Sequence, residues 1–468
     1  MRRLRQARPA LLLSLIAVGV GAVDVAAQSP NLARLDSIVA AELERSKTPG
    51  VQVAVALDGK VVFSKGYGVA DIETQRPVSA QTLFRVGSVT KMVTGAVLTQ
   101  LAADGKLDLH APISRYVPEL EGKKVGTVTS HQLMTHNAGW LDNAVPYGRM
   151  GEGALGEVMR EISDTMFFTE PGRILSYSNP SYSMAGYVAE QAGGKRFGTL
   201  ADELVISKMG MPHATFRPLA ALTRDFSQGH VGMPQNPGAV VRPFTENTAQ
   251  WAAGFLMASA QDMARFAITI MDGGMLDGRR VLSADAVRML TTPGTRIPND
   301  TTVGYSYGLM IGRGKTSGER FYQHGGAING FDALLTMFPD KRLAVVVLDN
   351  RGGNPMPAIS AQFAKEFGGV PFTVPSDSLP PGRKPTAAEA RAMAGVYAMG
   401  RTQLELKVEG DSVILQQGIA RLPVLMLSEN SFFIKPPMGD RQTLWLIPGP
   451  DGRIAYLSAS LRALARKE

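Results

Sequence analysis

A serine and a lysine three residues apart are the first residues in this chain whose types and spacing could do chemistry. The stretch FRVGSVTKMVTGAVLTQLAADG, residues 84–105, contains Ser88 and Lys91 among apolar residues at helical spacing. Residues three apart share one helix face, so the lysine amine can approach the serine oxygen. The start of a helix also favours a developing alkoxide. The pair therefore fits a serine nucleophile whose proton is taken by a lysine rather than by a histidine, and it fits equally a helix N-terminus that carries a surface lysine.

A tyrosine and an asparagine two residues apart would support such a reaction. Alone, S-x-x-K is a weak pattern, because about one chance match is expected in a chain of this length. Tyr177 and Asn179 stand in a turn before a helix that is predicted to begin near Pro180 and to end at Gly193-Gly194. Turn residues of these types can be purely structural. At a loop tip, however, they would present a phenol and an amide to a ligand.

A histidine followed by two glycines forms a third candidate feature. The stretch RFYQHGGAINGFDALLTMF places His324, Gly325 and Gly326 at the end of a predicted strand. The glycines would let a ligand approach the backbone, whose free N–H groups could bind an oxyanion. His324 could equally be a hydrogen-bonded structural histidine. His131 and His136, in TSHQLMTHNAGW, are interpreted as structural.

Ser306 offers a competing nucleophile, because VGYSYGLMIG (303–312) contains the G-x-S-x-G pattern of many esterases and lipases. That pattern works when the serine lies on a sharp turn between a buried strand and a helix. Here the polar TRIPNDTTV precedes it, and a short apolar run with a glycine-rich turn follows it. The context predicts that Ser306 is an ordinary strand residue. The nearby GRGKT (312–316) similarly lacks the glycine that a phosphate-binding loop would need at Leu309.

The three patterns occur in the order of a known family. S-x-x-K, Y-x-N and H-x-G resemble the motifs of the serine hydrolases that include class C β-lactamases, low-molecular-weight penicillin-binding proteins, D-aminopeptidases and β-lactamase-like carboxylesterases. The resemblance covers about residues 31–369 and extends to TSHQLMTHNAGW and HGGAINGF. It implies a β-lactamase/transpeptidase-like fold and an acyl-enzyme intermediate, without a cofactor or a metal.

The resemblance also assigns a role to each motif residue. Ser88 would be the nucleophile, and Lys91 with Tyr177 would transfer the proton. Asn179 would orient the lysine and the substrate. The oxyanion hole would consist of the backbone N–H groups of Ser88 and Ala327.

The third motif departs from that of true β-lactamases, which begin it with a lysine that can hold a substrate carboxylate. His324, followed by the substrate-binding Gly325 and Gly326, would be largely neutral at pH 7. We therefore expect esters or peptides as substrates, with at most weak β-lactamase activity, and we expect His324→Lys to improve β-lactam turnover. The partner would be a small ester, amide or β-lactam, or a cell-wall peptide. A β-lactamase, or a penicillin-binding sensor acylated at Ser88 with little turnover, is the alternative.

The elements that must position these residues are predicted to form an α+β fold. VQVAVAL and KVVFSKGYGVAD, joined by Asp58-Gly59, form one hairpin. FDALLTMF and LAVVVLDN form a second hairpin far downstream. Helical patterns lie between the two, including a capping-box start at Ser259. We therefore expect one antiparallel sheet built from both chain ends, flanked by helices and interrupted by a helical insertion.

The chain is predicted to divide into four parts. These are a signal peptide (1–27), a hydrolase domain (28–369), a proline-rich linker (370–386) and a small antiparallel β domain (387–468). The first part has arginines, then an apolar run, then small residues at the cleavage position. The last part has short β-type runs separated by turns, as in a barrel or sandwich. It has no prominent titratable cluster and is interpreted as an accessory domain.

Composition limits the remaining possibilities. The chain has no cysteine, which excludes disulfides and thiolate chemistry. Its six histidines show no metal-ligand spacing. The formal net charge of +8 becomes 8 − 4 + 1 = +5 without the four arginines and one aspartate of the predicted signal peptide, which is modest. The basic residues are spread along the chain, which argues against a nucleic-acid partner. We expect an exported protein, periplasmic or secreted, with no membrane-spanning segment after removal of the signal peptide.

Overall fold

The computed structural model describes most of the chain. It covers residues 30–467, apart from 144, 146, 233–237, 299, 353–354, 372–380 and 437–440. The predicted signal peptide and residues 372–380 of the predicted linker therefore lie outside the described residues.

A nine-stranded antiparallel sheet forms the centre of the larger, N-terminal part. The two chain regions meet in its middle, where Gly50–Leu57 pairs with Lys60–Asp71 on one side and with Leu343–Asp349 on the other. Both predicted hairpins and the predicted α+β arrangement are thus confirmed. In order across the sheet, the strands are Thr295–Ile297, Asp300–Tyr305, Met310–Arg313, Arg320–Ile328, Phe331–Phe338, Leu343–Asp349, Gly50–Leu57, Lys60–Asp71 and Arg76–Pro77.

Helices cover both faces of this sheet. One face buries Val53 and Val347 against the helices Leu32–Ser46 and Met356–Gly368. The opposite face buries the alternate residues, such as Ala54, under the large helical region. Successive side chains of a strand point to opposite faces, so both sets must be apolar in a sheet that lies between two layers.

Most of the helices belong to the insertion between the two hairpins. At its centre, Thr90–Ala103 is buried along almost its whole length against Asn179–Gly193 and Ala284–Leu290. The predicted capping box is present, since Ser259 and Asp262 each accept a hydrogen bond from the backbone N–H of the other. None of the described helices is long and apolar enough to cross a membrane. The other α-helices of the insertion are Ser130–Met134, Ala154–Arg160, Phe197–Ala201, Pro218–Leu222, Trp251–Gly254 and Ala260–Met271.

Three short strand pairs complete the insertion. They are Phe84–Arg85 with Met257–Ala258, His230–Val231 with Ala239–Val240, and Met275–Leu276 with Arg279–Arg280. The first pair lies directly before the Ser88 segment, so it fixes where that segment begins.

The C-terminal part of the chain forms a second nine-stranded antiparallel sheet, hereafter the C-terminal β unit. It follows the helix Ala387–Met393, which Thr386 caps. Side chains near its two edges, such as Val413 and Met426, share one core with its middle strands, so the sheet curls as a barrel does. In order, its strands are Ala420–Pro423, Ser412–Gln417, Thr402–Glu409, Gly395–Met399, Arg462–Arg466, Ile454–Ala459, Gln442–Pro448, Ser431–Ile434 and Leu425–Ser428.

The two ends of the predicted linker that the structure describes pack against the two sheets, the first end against the N-terminal sheet and the second against the C-terminal β unit. Val370 is fully buried in the core of the first sheet. Arg383 forms backbone hydrogen bonds with Met426 of the C-terminal β unit in both directions, at 3.1 Å and 2.8 Å. The sequence patterns also miss three strands of this unit: Gly395–Met399, Ala420–Pro423 and Arg462–Arg466.

Candidate active site

Ser88 lies in a tight turn that leads into a buried helix. Gly87–Val89 form a 3-10 turn, and the α-helix Thr90–Ala103 continues directly from it. Gly87 has a φ of 50°, in the left-handed region that favours glycine. Ser88 is therefore held half-buried at the N-terminal end of the helix, as the sequence predicts.

Lys91 is fully buried and directly connected to Ser88. Its Nζ donates to Oγ of Ser88 at 3.2 Å, to Oδ1 of Asn179 at 2.7 Å and to the carbonyl of Ala253 at 2.6 Å. Burial lowers the pKa of Lys91 well below its usual value, an effect that Asp142 opposes. A lysine whose pKa is lowered in this way can lose its charge near neutral pH and accept a proton.

Asp142 fixes the orientation of the Asn179 amide. Oδ1 of Asp142 accepts from the backbone N–H and from Nδ2 of Asn179, both at 3.0 Å. Because the NH₂ group faces this carboxylate, the amide oxygen faces Lys91. The orienting role expected for Asn179 stays a prediction, and the contact that it requires is present.

Tyr177 packs against Lys91 with its ring, and its hydroxyl lies beside Ser88. The ammonium nitrogen of Lys91 lies 4.7 Å from the centroid of the phenol ring. Burial raises the pKa of Tyr177, and the nearby Ser88 hydroxyl opposes that shift only in part, so the phenol is protonated at neutral pH. Its Oη is buried without a hydrogen-bond partner among the described residues. That oxygen can therefore bond to a substrate or a leaving group.

His136 supports the Tyr177 ring. The two ring centroids lie 4.1 Å apart, and Nδ1 of His136 accepts from the backbone N–H of Ser178 at 3.1 Å. Burial lowers the pKa of His136 well below its usual value, so it is neutral. His131, the other histidine of that stretch, bonds to the hydroxyl of Tyr307 at 2.8 Å. These contacts agree with the structural interpretation of both histidines.

Two glycines bring the Ser88 turn against the strand that carries the third motif. A Cβ on Gly326 would lie 2.1 Å from the Val86 carbonyl oxygen and 3.0 Å from the Ser88 nitrogen. A Cβ on Gly87 would lie 2.6 Å from the Ala327 nitrogen. Only residues without a side chain permit this approach. The backbone nitrogens of Ser88 and Ala327 are therefore close, as the predicted oxyanion hole requires.

His324 lies in the middle of the strand Arg320–Ile328, and the prediction that it ends a strand is wrong. It is 4% exposed, and its Nε2 bonds to the hydroxyl of Tyr305 at 2.9 Å. Burial, together with the charge of Lys91, lowers the pKa of His324 to about 3. The ring is neutral and supplies no positive charge to a substrate. Gly325, by contrast, borders open space, since the nearest atom to a Cβ there would be 3.9 Å away.

Ser306 makes a structural contact. It is fully buried directly after the strand Asp300–Tyr305, and its Oγ donates to the carbonyl of Met289 at 3.2 Å. The sequence context predicts Ser306 to be a strand residue, and it lies one position after the end of the strand. Gly308, the last glycine of the pattern, packs against the Lys91 helix. A Cβ at this position would lie 2.4 Å from the Lys91 carbonyl oxygen.

Sequence reasoning misses the part of the site that comes from the C-terminal β unit. The backbone N–H of Tyr177 donates to the carbonyl of Leu461 at 2.7 Å. Arg462 donates to Oδ2 of Asp142 through Nε at 2.8 Å and through Nη2 at 2.6 Å. These last two residues are 320 positions apart, and no motif in the sequence links them. The interpretation of this unit as an accessory domain overlooks these contacts.

Ser88 borders two cavities. One, of about 210 Å³, extends along Ala327. The other, of about 510 Å³, reaches Arg462. A third cavity, of about 300 Å³ and mostly apolar, shares Val145 and Gln250 with the first. Across the described residues, no three or more His, Asp or Glu side chains come together in a way that could hold a metal ion.

Comparison with known proteins identifies the family. The β-lactamase family model matches residues 35–367. The chain belongs to the β-lactamase family. The resemblance to this group of serine hydrolases is thereby confirmed, and this β-lactamase-family protein is a serine hydrolase that acts on amide or ester bonds.

Individual relatives agree with this assignment. A D-aminopeptidase from Gluconobacter oxydans is 30% identical over 404 residues, which cover 85% of this chain and 71% of the relative. The crystal structure of SurE superposes with a TM-score of 0.78 at 24% identity, over 93% of this chain and 99% of that one. The octameric penicillin-binding protein homologue from Pyrococcus abyssi gives a TM-score of 0.66 at 21% identity, over 93% and 100%. The predicted β-lactamase/transpeptidase-like fold is thus confirmed.

Proposed function

We propose that this β-lactamase-family protein cleaves esters or peptide-type amides through an acyl-enzyme on Ser88, with at most weak β-lactamase activity. The observation that carries the proposal is the buried Lys91, whose Nζ lies 3.2 Å from Oγ of Ser88 and 2.7 Å from Oδ1 of Asn179. A lysine in this setting can be neutral and can accept the serine proton. The D-aminopeptidase relative, at 30% identity, supports amides among the substrates.

Acylation follows from the positions of these groups. Oγ of Ser88 attacks the carbonyl carbon of the substrate while its proton moves to Nζ of Lys91. The carbonyl oxygen gains negative charge between the N–H groups of Ser88 and Ala327. When the intermediate collapses, the bond to the leaving oxygen or nitrogen breaks and Lys91 returns the proton to that atom. The neutral phenol of Tyr177 is a second donor beside this path.

Deacylation uses the same groups. A water oxygen attacks the carbonyl carbon of the acyl ester, and its proton moves to Lys91. The bond between the acyl carbon and Oγ of Ser88 then breaks, and the proton returns to the serine oxygen. Asn179 holds the lysine in place throughout both half-reactions.

The charges around the site favour substrates whose acyl part is uncharged. His324 occupies the position at which β-lactamases have a lysine, and burial lowers its pKa to about 3. The guanidinium of Arg462 is already paired with Asp142. A substrate carboxylate would therefore lack the charge-assisted hydrogen bond that a lysine supplies at the third motif.

The mostly apolar cavity beside the site supports acyl groups of modest size. It is lined in part by Val158, Met159, Ile162 and Met166. Each buried CH₂ group contributes about 0.8 kcal/mol. We therefore expect butyryl esters to be cleaved with a higher kcat/KM than acetyl esters.

We also propose that the protein acts outside the cytoplasm. The support is the predicted signal peptide, with arginines before the apolar run at 11–23 and small residues before Gln28. Fractionation of producing cells, with N-terminal sequencing of the mature chain, tests this: we expect a chain that begins at Gln28 in the periplasm or medium. A full-length chain in the cytoplasm would contradict the proposal.

The activity is tested with one preparation assayed against p-nitrophenyl acetate, p-nitrophenyl butyrate, a D-alanine p-nitroanilide and nitrocefin. We expect turnover of the butyrate ester or the anilide well beyond one equivalent per protein, slow turnover of nitrocefin, and no turnover by Ser88→Ala. A burst of one equivalent without further product would indicate the penicillin-binding sensor. Nitrocefin as the best substrate would indicate a β-lactamase. Either result would overturn the proposal.

A further inference from the structure

The C-terminal β unit contributes a charged side chain to the wall of the larger Ser88 cavity. Arg462 follows a two-residue turn between the last two strands of that unit. The turn is attached to the segment that carries the second motif. The N–H of Tyr177 donates to the carbonyl of Leu461 at 2.7 Å, and the N–H of Ala463 donates to Oγ of Ser176 at 3.1 Å. The arginine is thus held at a fixed place beside the site.

A continuous chain of hydrogen bonds runs from this arginine to the nucleophile. Arg462 donates twice to Oδ2 of Asp142, at 2.8 Å and 2.6 Å. Oδ1 of the same carboxylate accepts from the N–H and Nδ2 of Asn179, both at 3.0 Å. Oδ1 of Asn179 accepts from Lys91 at 2.7 Å, and Lys91 donates to Ser88 at 3.2 Å. Four side chains therefore connect the C-terminal β unit to the nucleophile without a gap in the hydrogen bonding.

The ion pair at the outer end of this chain sets the charge that faces Lys91. The side chain of Asp142 is 7% exposed, whereas that of Arg462 is 45% exposed. Asp142 raises the pKa of Lys91, because a nearby carboxylate stabilises the ammonium form, and Arg462 lowers it. The two effects oppose each other. Burial, the largest influence, then keeps the pKa of Lys91 well below its usual value.

The other titratable groups packed around Lys91 in the described chain are uncharged near neutral pH. The rings of Tyr177 and Tyr182 lie 4.7 Å and 5.2 Å from Nζ, and burial raises the pKa of both phenols. On neighbouring elements, burial lowers the pKa of His136 and of His324. The ion pair of Asp142 and Arg462 therefore carries the charges that can be changed by substitution without replacing a reacting group.

We propose that Arg462 is a positioning residue for the Ser88 reaction, supplied by the C-terminal β unit. Through Asp142 it orients the Asn179 amide. It also cancels the carboxylate charge that would otherwise keep Lys91 protonated. This inference rests on the proposed function of Ser88, and it gives the C-terminal β unit an indirect part in the reaction, through Asp142 and Asn179.

The test is a double-mutant cycle read out as the pH dependence of kcat/KM for p-nitrophenyl butyrate. In Arg462→Met the carboxylate is uncompensated, so the apparent pKa should rise by at least about half a pH unit. In Asp142→Asn the guanidinium is uncompensated, so the apparent pKa should fall. The double variant Arg462→Met/Asp142→Asn should return close to the wild-type value. A merely structural role cannot produce shifts of opposite sign that cancel.

Three control variants distinguish the effect of the Arg462 charge from the effect of weaker contact between the C-terminal β unit and the rest of the chain. Arg462→Lys keeps the positive charge and should keep the wild-type apparent pKa. Tyr456→Phe removes a hydrogen bond of 2.7 Å to Thr169 between the same two parts of the chain, without a change of charge. Arg453→Met removes an arginine of the same unit whose side chain is 88% exposed. Both of these should leave the pH profile unmoved.

The outcomes distinguish this inference from the proposed function. If wild-type protein neither hydrolyses esters nor is labelled on Ser88 by a fluorophosphonate, the proposed function fails. If wild type is active and labelled, an unchanged apparent pKa in Arg462→Met overturns the positioning role. Should that variant not fold, Asp142→Asn decides, because a profile that does not move to lower pH overturns the role as well.

Discussion

Oγ of Ser88 and Nζ of Lys91 lie 3.2 Å apart in a site where the lysine is fully buried. The lysine reaches the serine from the first turn of the α-helix that follows the serine's 3-10 turn. Its other two hydrogen bonds go to the side-chain oxygen of Asn179 and the carbonyl of Ala253. The remaining position of the amine faces Oγ of Ser88, and it can take a proton from there. This geometry makes the proton transfer directional.

Replacement of the two candidate serines should have very different effects. Ser88→Ala removes the attacking oxygen and should abolish hydrolysis of p-nitrophenyl butyrate. Ser306→Ala removes a hydrogen bond to Met289, which costs about 1 kcal/mol of stability, and should leave kcat/KM near the wild-type value. Mass spectrometry of a fluorophosphonate adduct should find the label on Ser88. A label on Ser306 would show that the assignment is wrong.

Activity should rise with pH through neutrality and then hold into the alkaline range. The pKa of Lys91 is lowered by burial and that of Tyr177 is raised, so the lysine is the group that loses its proton as pH rises. Its neutral form is the base, and the apparent pKa belongs to the coupled pair. Lys91→Arg keeps a charge that cannot be lost and should abolish activity at every pH. A bell-shaped profile centred near pH 5 would indicate a carboxylate base.

Two neighbouring glycines offer a matched test of the close approach at the oxyanion hole. A Cβ at Gly326 would meet the Val86 carbonyl oxygen at 2.1 Å, whereas the nearest atom to a Cβ at Gly325 is 3.9 Å away. Gly326→Ala must displace the Ser88 turn, so we expect at least a hundredfold lower kcat, about 2.7 kcal/mol of transition-state stabilisation. Gly325→Ala should fold normally and affect mainly KM. Equal effects of the two substitutions on kcat would contradict this account.

The burial of His324 changes the expected outcome of His324→Lys. The sequence pattern suggests that this substitution restores a site for a β-lactam carboxylate. The side chain is 4% exposed, and burial already lowers the pKa of His324 to about 3, so an ammonium there should cost on the order of 3 kcal/mol. We expect a lower melting temperature and no gain in nitrocefin turnover relative to p-nitrophenyl butyrate. His324→Gln, which can still bond to Tyr305, is the control, and an improved ratio in His324→Lys would refute the prediction.

A buried carboxyl outside the site should make stability depend on pH. Burial raises the pKa of Asp349 to about 7, and Asp332 on the adjacent strand adds to the shift. Such a group favours the folded state when protonated, so its contribution is full below the unfolded pKa of about 3.9 and is lost as pH rises through about 7. Asp349→Asn cannot ionise. Its melting temperature relative to wild type should therefore increase by several degrees between pH 5 and pH 8, and a constant difference would contradict the burial argument.

The sequence by itself determines the local elements and the chemistry of the nucleophile. Ser88 and Lys91 lie three residues apart in a 3-10 turn and the α-helix that continues it, so their contact follows from local helical geometry and is readable from spacing. The Asp58-Gly59 hairpin and the capping box at Ser259 are equally local, because each depends on residues that are adjacent in the chain. The family motifs add the order of the three segments.

Only the tertiary structure decides how the distant segments meet. Asp142 and Arg462 are 320 residues apart, and neither belongs to a motif, so nothing local indicates their ion pair. The neutral state of His324 is also a tertiary property, because it comes mainly from burial of the ring, which bonds to the hydroxyl of Tyr305. Spacing reports on neighbours along the chain. Burial and charge depend on which surfaces the whole fold brings together.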